Sequence, residues 1–332
     1  MLENRYLLAG IVFAASWLLT LLITHLILPV LQAKKIGQPI SQYVGEHKNK
    51  DGTPTMGGIC FILSILLCMT VAFVLFAVQG IAQTFIPLAL TLALGVGNGI
   101  IGFVDDYAKL LKKENIGLSV MQKLVLQFAV AGAYVAVMAY TGNLPTTLAL
   151  PFCDYALQLS YAAYPIYAVL IVGFVNSTNI TDGIDGLASS VTLVVALFYL
   201  IASFALRASG LSFISAALMG GMIGFLHFNR NPARIFMGDT GSLFIGGILM
   251  GMAFMTGEVL VLMIAGLVYI CEMLSSLLQV VYFKLTGGKR LFRMAPIHHH
   301  FQKGGWSEVR ITLTFAAVTA LLCVVAWLGL IL

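Results

Sequence analysis

Charge is what this sequence has least of. Asp, Glu, Lys and Arg make up 9% of its 332 residues, where a soluble domain carries roughly 25%. With 60% hydrophobic residues and a mean hydropathy of +0.99, a water-soluble globule is excluded. Cysteine is sparse as well. Cys60, Cys68, Cys271 and Cys323 fall within apolar runs and only Cys153 lies outside them. With no Cys-x-x-Cys pair, neither a structural zinc site nor a disulfide framework is expected. There is no internal repeat, which argues against the inverted-repeat plan of many transporters. There are no short alternating segments of the kind that build a membrane β-barrel. Nor is any connection long enough to hold a soluble domain, so residues 1–332 read as a single polytopic membrane domain.

What the chain does have is continuous apolar sequence. Ten runs lie near 7–31, 57–78, 84–104, 123–141, 161–176, 187–206, 212–228, 240–256, 259–284 and 311–331. They approach the ~20 residues that carry a helix across ~30 Å of hydrocarbon. Helices satisfy their own backbone hydrogen bonds in lipid, so the predicted fold is an all-α bundle of ten transmembrane helices. The first run is too long, and lacks a small-residue cleavage site, for a removable signal peptide.

Of the 18 Lys and Arg residues, all but Arg5 and Arg207 fall in one set of loops or at their edges. That set includes 32–56, 105–122, 229–239 and 285–310, and the positive-inside rule makes it cytoplasmic. An even number of spans then puts both termini outside. The outer stretch 142–160 mixes polar and apolar residues and suits a small hairpin. The basic face fits anionic headgroups of the bilayer and phosphate-bearing substrates. Nucleic acid is not among the expected partners.

Acids, amides and imidazoles collect at that same face. In Gly102-Phe103-Val104-Asp105-Asp106-Tyr107-Ala108-Lys109, neighbouring helical residues point about 100° apart, so the two aspartates have different tasks. Lys109 is within i+4 and i+3 reach of them. Acids at a helix C-terminus oppose the macrodipole, which argues for function over stability. In the run from Asn176 to Asp185, the residues Asn176, Asn179, Asp182 and Asp185 recur every third position. On a 3₁₀ turn they would line one edge, and on an α-helix they would drift slowly around it; such groups suit ribose hydroxyls, a base edge or a hydrated cation. Gly183 and Gly186 permit close backbone approach. The run from His227 through Asn229, Phe236 and Gly238 to Asp239 and Ser242 brings a carboxylate to the start of the eighth span. There it is either a helix cap or a ligand holding Mg²⁺ against a pyrophosphate, with flanking glycines open to phosphate. His298, His299 and His300 are consecutive. Their rings diverge on any regular structure, so contact with phosphate or a base edge is favoured over one shared transition metal. Glu272 lies within the ninth span, where a carboxylate marks either an ion path or a structural hydrogen bond.

These motifs, in this order, resemble the phospho-N-acetylmuramoyl-pentapeptide transferase family over almost the whole chain. The resemblance extends to Gly52-Thr53-Pro54-Thr55-Met56-Gly57-Gly58 and to the stretch from Tyr282 to Phe292. The Asp-Asp-x-x-Lys and Asp-Gly-x-Asp-Gly elements look like the wider polyprenyl-phosphate hexose-1-phosphate transferase superfamily. Thr-Pro-Thr-Met-Gly-Gly and Pro-Ile-His-His-His are more specific to the muramoyl branch. The resemblance implies a Mg²⁺-dependent enzyme of the bacterial plasma membrane, commonly a homodimer, with an active-site cleft on the cytoplasmic face. Its expected reaction transfers phospho-MurNAc-pentapeptide from UDP-MurNAc-pentapeptide to undecaprenyl phosphate, giving lipid I and UMP.

Roles carry over by position. Asp239 would hold Mg²⁺, Asp105 would keep the lipid phosphate deprotonated, and Asp106 would support their geometry. Lys109 and Lys123 would contact phosphate. Lys50, Asn179, Asp182, Asp185 and Phe236 would form the uridine pocket, with Phe236 stacked on the base. His298 and His299 would face the nucleotide diphosphate. Asn176, Asn229, Gly238 and His300 belong to the same substrate-binding set. The rival readings are a sibling enzyme using UDP-GlcNAc, a CDP-alcohol phosphotransferase and a transporter.

Overall fold

Apolar sequence of this length becomes helix because lipid offers no partner for a backbone amide. A computed structural model describes residues 5–33, 52–78, 85–112 and 117–331. Lys50 lies outside these described residues. The helices are α1 (Arg5–Ala33), α2 (Gly58–Val78), α3 (Phe85–Lys112), α4 (Val120–Tyr140), α5 (Ala163–Thr181) and α6 (Leu187–Ala205). After them come α7 (Ser209–Asn229), α8 (Gly238–Thr256), α9 (Val259–Ala265), α10 (Leu267–Leu285), α11 (Ile297–Gln302) and α12 (Glu308–Ile331). All but α9 and α11 are long and apolar enough to cross a membrane, which gives ten such helices among the described residues. The stretch 142–160 does form a hairpin. Strand β1 (Thr147–Ala149) pairs antiparallel with β2 (Ala156–Gln158), with Leu148 opposite Leu157.

Three spans depart from the hydropathy reading. The third continues past residue 104 to Lys112, carrying Asp105, Asp106 and Lys109 on helix. The fifth continues past 176 to Thr181. Its polar residues remain helical because their hydroxyls bond back into the helix, Ser177 Oγ to the Gly173 carbonyl at 2.9 Å and Thr181 Oγ1 to the Ser177 carbonyl at 2.8 Å. The ninth is two helices, broken at Gly266. A Cβ there would sit 2.7 Å from the Phe174 ring.

Helix α8 is the centre of the bundle, buried along almost its whole length and packed on α3, α5 and α2. Its contact with α3 is the closest kind, backbone against backbone. A Cβ on Gly247 would lie 2.8 Å from the Leu94 carbonyl oxygen, and one on Gly102 would collide with the Asp239 carbonyl. Small residues permit this in lipid, where helices gain from tight packing rather than from expelling water. The outer faces of α1 and α12 are apolar, with Leu7, Leu18, Leu313 and Leu321 exposed. The α3–α8 seam sets the C-terminal end of α3 directly against the first turn of α8.

Candidate active site

Four helix ends meet at one end of the bundle, those carrying Asp105 and Lys109 (α3), Lys123 (α4), Asn179 (α5) and Asp239 (α8). Lys123 is placed by the start of α4, which a reciprocal capping box fixes. The Gln122 amide donates to Ser119 Oγ at 3.2 Å and the Ser119 amide to Gln122 Oε1 at 2.9 Å.

The two lysines sit between two carboxylates. Lys109 Nζ is 2.7 Å from Asp105 Oδ2 and 3.1 Å from Asp239 Oδ2. Lys123 Nζ is 3.0 Å from Asp105 Oδ2 and 2.5 Å from Asp239 Oδ2. Asp105 is buried, and its other oxygen accepts the Leu118 amide at 2.7 Å. Asp239 is partly open, and its Oδ1 accepts the Asn179 side-chain amide at 2.8 Å. That amide also reaches Ser242 Oγ at 2.9 Å.

Asp106 points elsewhere. Its oxygens accept the backbone N–H of Asp239 at 3.2 Å and of Thr240 at 2.9 Å, and the Thr240 hydroxyl at 2.7 Å. It therefore caps the N-terminus of α8 from another helix, satisfying the donors that a helix start leaves unpaired. Asp239 makes no capping bond of its own. Donor oxygens of Asp105, Asp106 and Asp239 lie within 4.8 Å of one another, close enough to share an ion.

The chain just before α2 completes this end. The Phe236 amide donates to the Pro54 carbonyl at 2.8 Å, and the Gly57 amide to the Phe236 carbonyl at 2.8 Å. Phe236 is half-buried. Gly238 has φ +68°, and a Cβ on it would meet Asp106 Oδ2 and, at 2.8 Å, Thr55 Oγ1. The expectation that the glycines beside Asp239 lie open to phosphate is thus corrected. Gly238 is filled by Asp106 and Thr55, and Gly241 by Met237, Gly58 and Phe61.

The third-residue series divides between two structures. Asn176 and Asn179 are on α-helix, where such a series drifts around the axis, and Asp182 and Asp185 lie in the turn that follows. Asn176 donates to Gln127 Oε1 on α4 at 2.8 Å. Asp182 is half-buried at the end of α5. Burial first, and then the neighbouring carboxylates of Asp239, Asp106 and Asp185, hold its carboxyl well above the usual range. Asp185 Oδ2 accepts the Asn231 side-chain amide at 3.0 Å and the Ala233 amide at 2.9 Å. Its own amide donates to Glu308 Oε2 at 3.2 Å. Asn229 is buried, accepting from Ser189 Oγ at 2.9 Å and donating to the Ile235 carbonyl at 3.0 Å.

The histidines of α11 diverge as their adjacency requires. His298 Nδ1 is 2.9 Å from Glu272 Oε2, His299 Nδ1 is 2.6 Å from Gln302 Oε1, and His300 Nδ1 accepts the Arg293 amide at 3.1 Å. Ser242, Thr240 and Glu308 are residues that the sequence reading did not single out. Ser242 was legible as the residue one helical turn after Asp239. Glu308, more than a hundred residues from Asp185, had no local signal.

Residues 88–257 match the model of Glycosyl transferase family 4. The Phospho-N-acetylmuramoyl-pentapeptide-transferase of Clostridium beijerinckii is 39% identical over 335 residues, covering 99% of this chain and 98% of that one. Its namesake in Staphylococcus aureus is 41% identical over 320 residues, covering 94% and 98%. That of Clostridioides difficile is 40% identical, covering 95% of each. The chain belongs to the phospho-N-acetylmuramoyl-pentapeptide-transferase family. With ten apolar helices and bacterial relatives matched end to end, this transferase is a multi-pass protein of the bacterial plasma membrane. Every aspartate of the cluster lies within the matched 88–257 region, and the three histidines lie beyond it.

Proposed function

We propose that the four-helix cluster is where phospho-MurNAc-pentapeptide passes from UDP-MurNAc-pentapeptide to undecaprenyl phosphate, yielding lipid I and UMP. A lipid phosphate oxygen forms a bond to the sugar-bearing phosphorus, and the bond from that phosphorus to UMP breaks. The observation that carries this reading is the pair of lysines held between Asp105 and Asp239. Two ammonium groups already converge there, so incoming phosphates meet fixed cationic partners. The cluster also lies where the apolar spans end, as joining a polar nucleotide to a lipid requires. The basic loops assign this end to the cytoplasm and both termini to the outside.

Asp105 takes the role of base, with Lys109 and Lys123 passing to the phosphates as they arrive. A phosphate monoester has a second pKa near 6, so this help is modest at neutral pH. Three carboxylates with converging oxygens suit a hard divalent cation. Asp106 is occupied by the start of α8, so Asp239 with Asp105 would hold Mg²⁺. When bound, Mg²⁺ would neutralise charge developing on the pyrophosphate. Asn179, Asp182 and Phe236 are assigned to the uridine side together with Lys50, while Asp185, Asn229 and Asn176 shape the surrounding loops and helices. His298 and His299 face the diphosphate side. We further propose a homodimer, the assembly that the family resemblance implies.

The test is UMP release by purified protein given both substrates, with and without Mg²⁺, for wild type and Asp239→Asn. Lipid- and Mg²⁺-dependent release that falls at least about a hundredfold in the variant supports the assignment. Release unaffected by Asp239→Asn moves the metal to the other aspartates. Turnover of UDP-GlcNAc instead transfers the protein to the sibling reaction.

A further inference from the structure

Glu272 is a carboxylate that the reaction above leaves without a task. It is wholly buried on α10, one and a half turns from the break at Gly266. The Ser275 hydroxyl bonds to the Glu272 carbonyl and not to its carboxylate. The carboxylate instead meets His298, with Oε2 2.9 Å from Nδ1, and that ring is also wholly buried. Glu272 Oε1 and His298 Nε2 have no hydrogen-bond partner among the described residues. The far edge of the ring abuts Gly183, where an added Cβ would run into Nε2 and Cε1. Gly183 directly follows Asp182, on the turn assigned to the donor nucleotide. The ring of the next residue, His299, lies tilted against it with centroids 4.2 Å apart.

A carboxylate can only accept, so His298 must carry its proton on Nδ1. Nε2 is then the unprotonated ring nitrogen, and with Cε1 it faces the Asp182–Gly183 turn. A carboxylate behind an imidazole fixes both tautomer and ring angle, as it does behind metal-bound histidines. We infer that Glu272 is a positioning residue for the donor site. It locks His298 in the Nδ1–H form, and the ring in turn seats the Asp182–Gly183 turn. The inference rests on the reaction proposed above.

The experiment measures steady-state kinetics of the full-length protein with UDP-MurNAc-pentapeptide and undecaprenyl phosphate. The variants are Glu272→Ala, Glu272→Gln, His298→Ala and the Glu272→Ala/His298→Ala double. Glu272→Ala is expected to raise the donor KM at least about tenfold and leave the lipid KM within about twofold. Glu272→Gln keeps an oxygen acceptor for Nδ1–H and restores most of the loss. The double variant is no worse than His298→Ala, since a residue acting only through another adds nothing once that other is gone. Side-chain ¹⁵N spectra of the histidines show one with a protonated Nδ1 that loses this signature in Glu272→Ala. Multiplicative losses in the double variant overturn the inference. So do equal rises in both KM values with a lowered thermal midpoint in Ala and Gln variants alike, which is the mark of a packing role. A wild type that does not turn over this donor overturns the proposed reaction. In that case the ¹⁵N spectrum still judges the pair, and an unprotonated Nδ1 in wild type rejects it.

Discussion

Asp105 and Asp106 are neighbours in sequence, and Lys109 is 2.7 Å from the first and 3.8 Å from the second. Asp105 faces the lysines and Asp106 faces the α8 backbone. Asp106→Ala strands the Thr240 amide and hydroxyl and the Asp239 amide in a buried site. It is expected to cost about 1–3 kcal/mol, read as a lower thermal midpoint in detergent. Asp182 behaves in the opposite sense. Its carboxyl is pushed up by burial and by three nearby acids, so the folded state holds its proton more tightly than the unfolded one. Stability from this group is full at low pH and declines as pH rises through the carboxylate range. Asp182→Asn should therefore raise the thermal midpoint of the ligand-free protein at neutral pH, and the gain should shrink as pH is lowered. A gain that persists in acid would show that charge is not its source. At this scale the sequence was most legible where residue type alone decides. Adjacent aspartates had to part and adjacent histidines had to diverge. The series ending at Asp185 left the helix type open, because spacing alone does not say that α5 continues to Thr181.

Among the elements, the α3–α8 seam holds the site together. Gly102→Ala places a methyl group against the Asp239 carbonyl and the Thr240 amide, backbone atoms that cannot rotate away. UMP release should fall at least about tenfold, with a lowered thermal midpoint. Gly132→Ala on α4 is the control, since a Cβ there meets nothing within 4 Å. It should be neutral or slightly stabilising, as alanine is the better helix former. Hydropathy located every crossing helix because lipid demands a long apolar run. It missed the break at Gly266 for the same reason, both halves being apolar. The seam itself was not legible, because glycines in an apolar run do not announce which helix they face.

For the whole molecule, the distribution of Lys and Arg predicts the orientation. Cys153 is exposed in the stretch that carries the β1–β2 hairpin. A membrane-impermeant maleimide should label it on intact cells. A cysteine introduced by Lys303→Cys should react only after permeabilisation. The reverse pattern would invert the topology and move the site to the other face. The gathering of acids and imidazoles at one boundary was readable from sequence, since charge is so rare that its positions stand out. Which of these groups touch was not, because the contacts join residues from 105 to 308.

That dispersal has a consequence for how the protein is made. Spans enter the membrane in the order they leave the ribosome, and Asp106 arrives well before the start of α8 that it caps. Until α8 is inserted, Asp106 has no helix start to cap, and Asp105 and the two lysines lack the carboxylate of Asp239. Glu272 in turn has no imidazole until α11 emerges. A nascent chain stalled before α8 therefore inserts without the carboxylate and the helix start around which the cluster is built.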